Sequence, residues 1–237
     1  MHEYRKTIAH GPLRTGMIDA AEATTVASAG VGAADAAKDL RTASKNLVFP
    51  NPEMKLDLER TALVVIDPRV DVLSPKGAAW AIRGAGATER KTVQNLARLF
   101  KAAKLAGITI AISLTSKDLG RPGCNLMPEL EQYIDDGKTI ISSPHEAYSP
   151  LPKVNDLGLR LRKRRIGQII LAGMLASLRI ESHLRDFFEQ GFEVAVVRDA
   201  VAGPRLPEGN GYLSTFINFR CIANALWTTE ETVERLA

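Results

Sequence analysis

Three short stretches carry the side chains best able to do chemistry, and each follows a run rich in β-branched residues. Asp67-Pro-Arg-Val-Asp71 follows Ala62-Leu-Val-Val-Ile66, Ser142-Ser-Pro-His-Glu146 closes the run that starts at Thr139, and Gly173-Met-Leu-Ala-Ser-Leu-Arg179 follows Gln168-Ile-Ile-Leu171. Asp67, held rigidly at the end of a buried strand, is the candidate acid or base. The alternative is a structural carboxylate bonded to backbone amides. Gly173 allows a tight turn, and Leu175 to Arg179 then bring backbone amides to a helix start, where an anion or a developing oxyanion is stabilised. Arg179 stays protonated at any working pH, so it cannot be a nucleophile, but it can clamp a carboxylate.

The elements that must position these residues follow from periodicity. Five near-continuous apolar runs begin at Ala62, Ile108, Thr139, Gln168 and Glu193, as expected for strands covered on both faces. Amphipathic stretches lie between them. Thr88 can cap a helix through Val93, Leu96, Leu99, Phe100 and Ala103 to Gly107. Asn155 or Asp156 can cap one running to Gly167, and Ser177 one through Ile180, Leu184, Phe187 and Phe188 to Gly191. Alternating strands and helices imply right-handed crossovers and an α/β three-layer sandwich: a mostly parallel central sheet with helices on both faces. In such a sheet, ligands gather beyond the carboxyl ends of the strands, where all three stretches fall.

Taken in this order, the stretches resemble the isochorismatase-like (cysteine hydrolase) superfamily over roughly residues 60 to 230. The resemblance rests on Ala62 to Asp71, on Ile170-Leu-Ala-Gly-Met-Leu-Ala-Ser-Leu-Arg-Ile-Glu-Ser-His-Leu-Arg185, and on Gly191-Phe-Glu-Val-Ala-Val-Val-Arg-Asp-Ala200. It implies a trio of Asp, Lys and Cys, with a cis peptide shaping the oxyanion hole. Asp67 matches the Asp, and the bond between Met174 and Leu175 matches the cis peptide. Arg179 stands at the cysteine's position. No lysine occurs between Ser142 and Glu146, where Glu146 is the preferred match and Ser142 the second. The isochorismatases proper also lack the cysteine and use the Asp as acid, but they keep the lysine. If Asp67 and Arg179 meet, the guanidinium makes the aspartate a poorer base.

Around this trio, Arg69 reads as a pocket or interface residue, Asp71 as structural, His145 as a pocket residue or a loop hydrogen-bonding group, and Tyr148 and Trp80 as pocket walls or core residues. Met174 and Leu175 join the substrate-binding set. Asp199 reads as a loop or cap carboxylate, and His183 as a surface or helix-packing residue. No metal and no cofactor are expected. The stretch after the second strand, where some nicotinamidase-like relatives hold a metal, contains no histidine, and the four histidines lack ligand spacing.

Composition sets the frame. An apolar fraction of 45% over 237 residues suits one well-buried domain, residues 57–237, preceded by an arm over 1–56 in which Ile18 to Ser44 are rich in Ala, Thr, Ser and Gly. The arm is expected to pack on its own domain or a partner subunit, or to be partly disordered. Two cysteines, Cys124 and Cys221, are too few for a disulfide framework and read as small buried apolar residues. No run is long enough to cross a bilayer and the first residues lack a secretory core, so a cytoplasmic protein is expected. The basic cluster from Arg160 to Arg165 has no interleaved aromatic residue, which argues for a solvated helix end over nucleic-acid binding. The resemblance implies a homo-oligomer, a dimer or tetramer, which the sequence itself supports only through the arm and an apolar C-terminal helix (Phe216, Phe219, Ile222, Leu226, Trp227) that serves as interface or core. Two functions follow. One is a hydrolase or lyase acting without cysteine on a small anionic molecule, with Asp67 as acid or base and Arg179 as anion clamp. The other is a catalytically silent homologue that binds a ligand or partner subunit.

Overall fold

The computed structural model describes residues 54–77, 80, 86–87, 91–114, 125–134, 138–142 and 156–237. The chain divides into two units, Met1–Val48 and Phe49–Ala237, and every described residue lies in the second. The arm up to residue 53 lies outside the described residues. Met54 and Leu56, where the arm was expected to end, pack into the core.

Six strands form one sheet: β1 (Thr61–Ile66), β2 (Thr109–Ser113), β3 (Ile140–Ile141), β4 (Gln168–Met174), β5 (Glu193–Ala202) and, after a small hairpin, β8 (Ala225–Trp227). The spatial order is β3-β2-β1-β4-β5-β8, and every neighbouring pair is parallel. The hairpin pairs β6 (Arg205–Leu206) with β7 (Gly209–Asn210). The order reverses between β1 and β4, which makes their carboxyl ends the switch point of the sheet.

Seven α-helices are described: α1 (Val70–Leu73), α2 (Thr92–Leu105), α3 (Pro128–Glu131), α4 (Leu157–Lys163), α5 (Glu181–Glu189), α6 (Gly211–Ile222) and α7 (Thr229–Leu236). The two-residue alternation of the strands divides the core between two layers. Leu63 and Val65 of β1 join Leu96, Leu99 and Phe100 of α2 and Leu236 of α7. Ala62, Val64 and Ile66 join Leu157 and Leu161 of α4, Leu184 and Phe187 of α5 and Phe219 of α6. Each such leucine or phenylalanine contributes about 1.5–3 kcal/mol by leaving water.

Several boundaries differ from the sequence reading. Thr88 and Asn155 lie outside the described residues. Helix α2 follows Lys91 and ends as expected, with Gly107 at φ +69° and Ile108 N–H closing onto the Ala103 carbonyl. Helix α4 stops at Lys163, short of Gly167. Arg165 takes the left-handed conformation (φ +62°), and Ile166 N–H closes onto Leu161 O. Ser177 is no cap, because it lies inside a five-residue π turn, Ala176–Ile180, that leads into α5. Leu226 and Trp227 belong to β8, not to a helix, because that segment completes the sheet beside β5. Cys221 is exposed on α6, contrary to the buried reading, and Cys124 lies outside the described residues. No described helix is long and apolar enough to cross a membrane.

Candidate active site

At the end of β1 the chain turns sharply through Asp67, which adopts φ +43°, a left-handed conformation that aspartate tolerates better than most residues. Its amide donates to the Ser113 carbonyl at the end of β2 (2.9 Å), and its own carbonyl accepts from Arg69 N–H (2.8 Å). The segment after Asp67 is held by residues 125–127, through Val70 N–H to Asn125 O and Met127 N–H to Pro68 O. The Asp67 carboxylate is therefore placed by main-chain bonds on both sides.

Arg179 reaches the same point from the π turn after β4. Its Nη1 lies 2.9 Å from Asp67 Oδ2, and Asp67 is fully buried while Arg179 is 5% exposed. Arg69 Nε lies 3.7 Å from Asp67 Oδ1, and Arg69 Nη2 donates to Asp71 Oδ2 at 3.2 Å. The result is a row of alternating charge, Arg179, Asp67, Arg69 and Asp71, in which two guanidiniums balance two carboxylates. Arg69 is wholly buried, and its side chain takes part in this row. Asp71 takes the structural part expected of it, as a partner of Arg69. Burying charge is tolerated only when it is compensated in this way.

The contact between Arg179 and Asp67 is close in distance but off the hydrogen-bonding direction. Arg179 Nε and Nη1 have no hydrogen-bond acceptor among the described residues. Ser142, at the end of β3, is likewise buried, with its amide on Ile112 O and its hydroxyl without a partner among the described residues.

The peptide bond between Met174 and Leu175 is cis. Both side chains are buried in the apolar layer that contains α2, so they support the turn from below. Leu178 N–H and Ile180 N–H fold back onto Leu175 O, which engages one of the amides expected to stabilise an oxyanion. Glu146, His145 and Tyr148 lie outside the described residues, as does the stretch Thr115 to Gly123. Trp80 is half-buried and lines a cavity of about 260 Å³ with Leu73, Pro75 and Met127, beside α1. Asp199 lies within β5, and its carboxylate caps the start of α7 by accepting from Thr229 N–H and Oγ1–H.

Sequence reasoning underrated His183. It is 2% exposed and touches both Ser113 and the Arg179 carbonyl. The available signal was its spacing, four residues after Arg179 on one helical face. Among the described residues no three His, Cys, Asp or Glu side chains gather as metal ligands.

The family model described as "Isochorismatase domain" matches residues 61–210. This chain belongs to the isochorismatase family. Solved structures agree in fold. A cysteine hydrolase from Pseudomonas syringae pv. phaseolicola 1448A aligns with TM-score 0.68 at 19% identity, over 78% of this chain and 95% of that one. An isochorismatase family protein from Desulfovibrio vulgaris subsp. vulgaris str. Hildenborough gives 0.62 at 20%, over 75% and 98%. A nicotinamidase from Bacillus subtilis gives 0.59 at 21%, over 71% and 99%. At these identities the likeness extends to the fold alone.

Proposed function

We propose that this isochorismatase-family chain has given up thiol hydrolysis and binds a small carboxylate-bearing molecule at the strand ends of β1 and β4, with Arg179 standing where relatives keep a nucleophilic cysteine. The buried contact between Arg179 and Asp67 carries this reading. A general base must reach the proton it removes. Guanidinium groups face both Asp67 oxygens, so a substrate proton would have to displace one of them. Arg179 cannot attack a carbonyl. The charge row is balanced without a substrate. Arg179 keeps 5% of its surface exposed, and among the described residues its Nε–H and Nη1–H lack a hydrogen-bond acceptor, a need that a ligand carboxylate entering beside the guanidinium meets best. In this reading Glu146 replaces the family's lysine, and His145 and Tyr148 complete the pocket. The protein works as a homodimer or tetramer in the cytoplasm, and light scattering in solution checks the assembly.

A second reading, a hydrolase or lyase with Asp67 as acid or base, is favoured by the left-handed backbone of Asp67, since such outliers gather at functional sites. One experiment separates the two. Wild type and Asp67→Asn are assayed on amide, imide and vinyl-ether panels, and small carboxylates are titrated into wild type and Arg179→Met by calorimetry. The silent-binder reading expects no turnover above that of Asp67→Asn, and carboxylate binding that Arg179→Met loses. Turnover in wild type that Asp67→Asn abolishes establishes the second reading instead.

A further inference from the structure

Four contacts close a ring beneath the candidate site. Asp67 N–H donates to Ser113 O (2.9 Å), Ser113 Oγ meets His183 Nε2 (3.0 Å), His183 Nδ1 meets Arg179 O (2.7 Å), and Arg179 Nη1 returns to Asp67 Oδ2 (2.9 Å). The ring joins the ends of β1, β2 and β4 through one imidazole. A carbonyl only accepts, so His183 Nδ1 carries the proton. In the neutral ring, Nε2 then accepts from the Ser113 hydroxyl.

The junction at which this happens is irregular. The chain passes from the π turn, Ala176–Ile180, to α5, and main-chain bonding shifts there from five-residue to four-residue spacing. Side chains serve the carbonyls at this shift: Ser182 Oγ–H donates to Leu178 O at 2.8 Å, and His183 Nδ1–H to Arg179 O. The imidazole lies edge-on to Phe187, with ring centroids 5.9 Å apart, in an apolar layer with Leu184, Ile180 and Ala176. An apolar side chain could fill that layer. An imidazole with both nitrogens engaged is retained at the cost of burying polar atoms, and it fixes one arrangement of the residues it joins.

We propose that His183 is the positioning residue of this site: by fixing the Arg179 carbonyl to the end of β2, it presents the guanidinium to Asp67. The inference rests on the reading of Arg179 as the site's ligand-facing donor. Histidine suits the task because its two nitrogens reach in different directions, one to the turn and one to the neighbouring strand end.

The test divides the imidazole in two. In His183→Asn the side-chain amide overlays Nδ1 and can still donate to Arg179 O, but it does not reach Ser113. In His183→Gln the amide overlays Nε2 and keeps Ser113 while losing Arg179 O. His183→Leu loses both. The readout is solvent exchange of the Arg179 Nε–H, followed by proton–nitrogen NMR and assigned by its disappearance in Arg179→Lys, beside the denaturation midpoint of each variant. Because the bridge needs both ends, exchange should rise several-fold in His183→Asn, which loses the end of β2, and by about ten-fold or more in His183→Gln and His183→Leu, which also release Arg179 O. A purely structural histidine would lower the midpoints while leaving that exchange unchanged. Equal exchange in the Asn and Gln variants, or wild-type exchange in His183→Leu, overturns the proposal. If no position-183 variant folds, Ser113→Ala decides. Releasing Nε2 should speed Arg179 exchange several-fold, and no change overturns the idea. An Arg179 Nε–H that is unprotected already in wild type refutes the placement of Arg179 and not the role of His183.

Discussion

Arg179 Nη1 and Asp67 Oδ2 lie 2.9 Å apart at the sheet's switch point, and neither side chain has more than 5% of its surface exposed. Two elements far apart in sequence, the turn after β1 and the turn after β4, are thus joined by opposite charges out of water. Arg69 and Asp71 extend the pair into a balanced row, so each charge depends on the next. Removing one member leaves its neighbour buried with too little compensation.

Arg179→Leu should therefore destabilise the fold by about 3–5 kcal/mol, the range for breaking a buried pair. The loss should fall toward the lower figure because Arg69 still faces Asp67. Asp67→Asn combined with Arg179→Leu should recover part of it, giving a coupling of about 0.5–3 kcal/mol in a double-mutant cycle. Urea denaturation of the four proteins measures this directly. Additive losses would mean that the two groups do not interact.

A thiol introduced by Arg179→Cys should alkylate slowly. It would sit in a 5% exposed position against the Asp67 carboxylate, and both burial and a neighbouring negative charge disfavour the thiolate. Cys221 is exposed and serves as the internal reference. Peptide mass spectrometry after iodoacetamide treatment should show position 179 reacting at least about ten-fold more slowly than Cys221. Faster reaction would indicate a pocket still tuned for a nucleophile.

The strands that build the site were legible because β1, β2 and β4 are continuous apolar runs whose ends carry the polar residues. The partnership of Asp67 with Arg179 was legible only through family resemblance, since no local pattern links two residues on different crossovers. Ser177 looked like a cap because serine favours that role, yet chain entry through Met174 and Leu175 starts the turn at Ala176 instead. The short edge strand β8 depends on pairing with Ala195 to Val197, and the extension of β5 through Asp199 on renewed pairing of Val201 and Ala202 with the end of β4 and on the cap at Thr229, which propensity does not encode. His183 was ambiguous because an imidazole suits a surface, a core or a site equally, and only its two partners decide.

Gly173→Ala should damage the site through the backbone. Gly173 adopts φ +116°, and a Cβ there would lie 2.2 Å from Ile66 O and 2.7 Å from Ile66 N, directly before Asp67. The pairing of β4 with β5 also slips between Leu171 and Gly173, so the position has little freedom to adjust. Gly107→Ala is the control: φ is +69° and nothing lies within 4 Å of a Cβ, leaving only the left-handed penalty of about 1–2 kcal/mol. In parallel denaturation curves Gly173→Ala should lose clearly more than Gly107→Ala. Equal losses would show that β1 yields easily at Ile66.

Two surface-proximal carboxyls should give opposite pH dependences. Burial pushes the Asp186 carboxyl above the usual range, partly offset by the Gln190 amide donating to it at 2.7 Å. Its position late in α5 adds an unfavourable helix-end interaction. A raised native value means that the unfolded chain ionises first, so this group's stabilisation is complete below the unfolded value and is lost as pH rises through the native one. Glu231 is the reverse. Bonds from Thr228 N–H and Oγ1–H hold it below the usual range, so its contribution is present above the unfolded value and lost as pH falls through the native one. Asp186→Asn should therefore raise the melting midpoint near about pH 7 and lose that advantage near about pH 3. Glu231→Gln should lower the midpoint near about pH 7 and match wild type near about pH 3. Thermal melts across this range check both, and parallel profiles for the two variants would contradict the opposite environments assigned to α5 and to the start of α7.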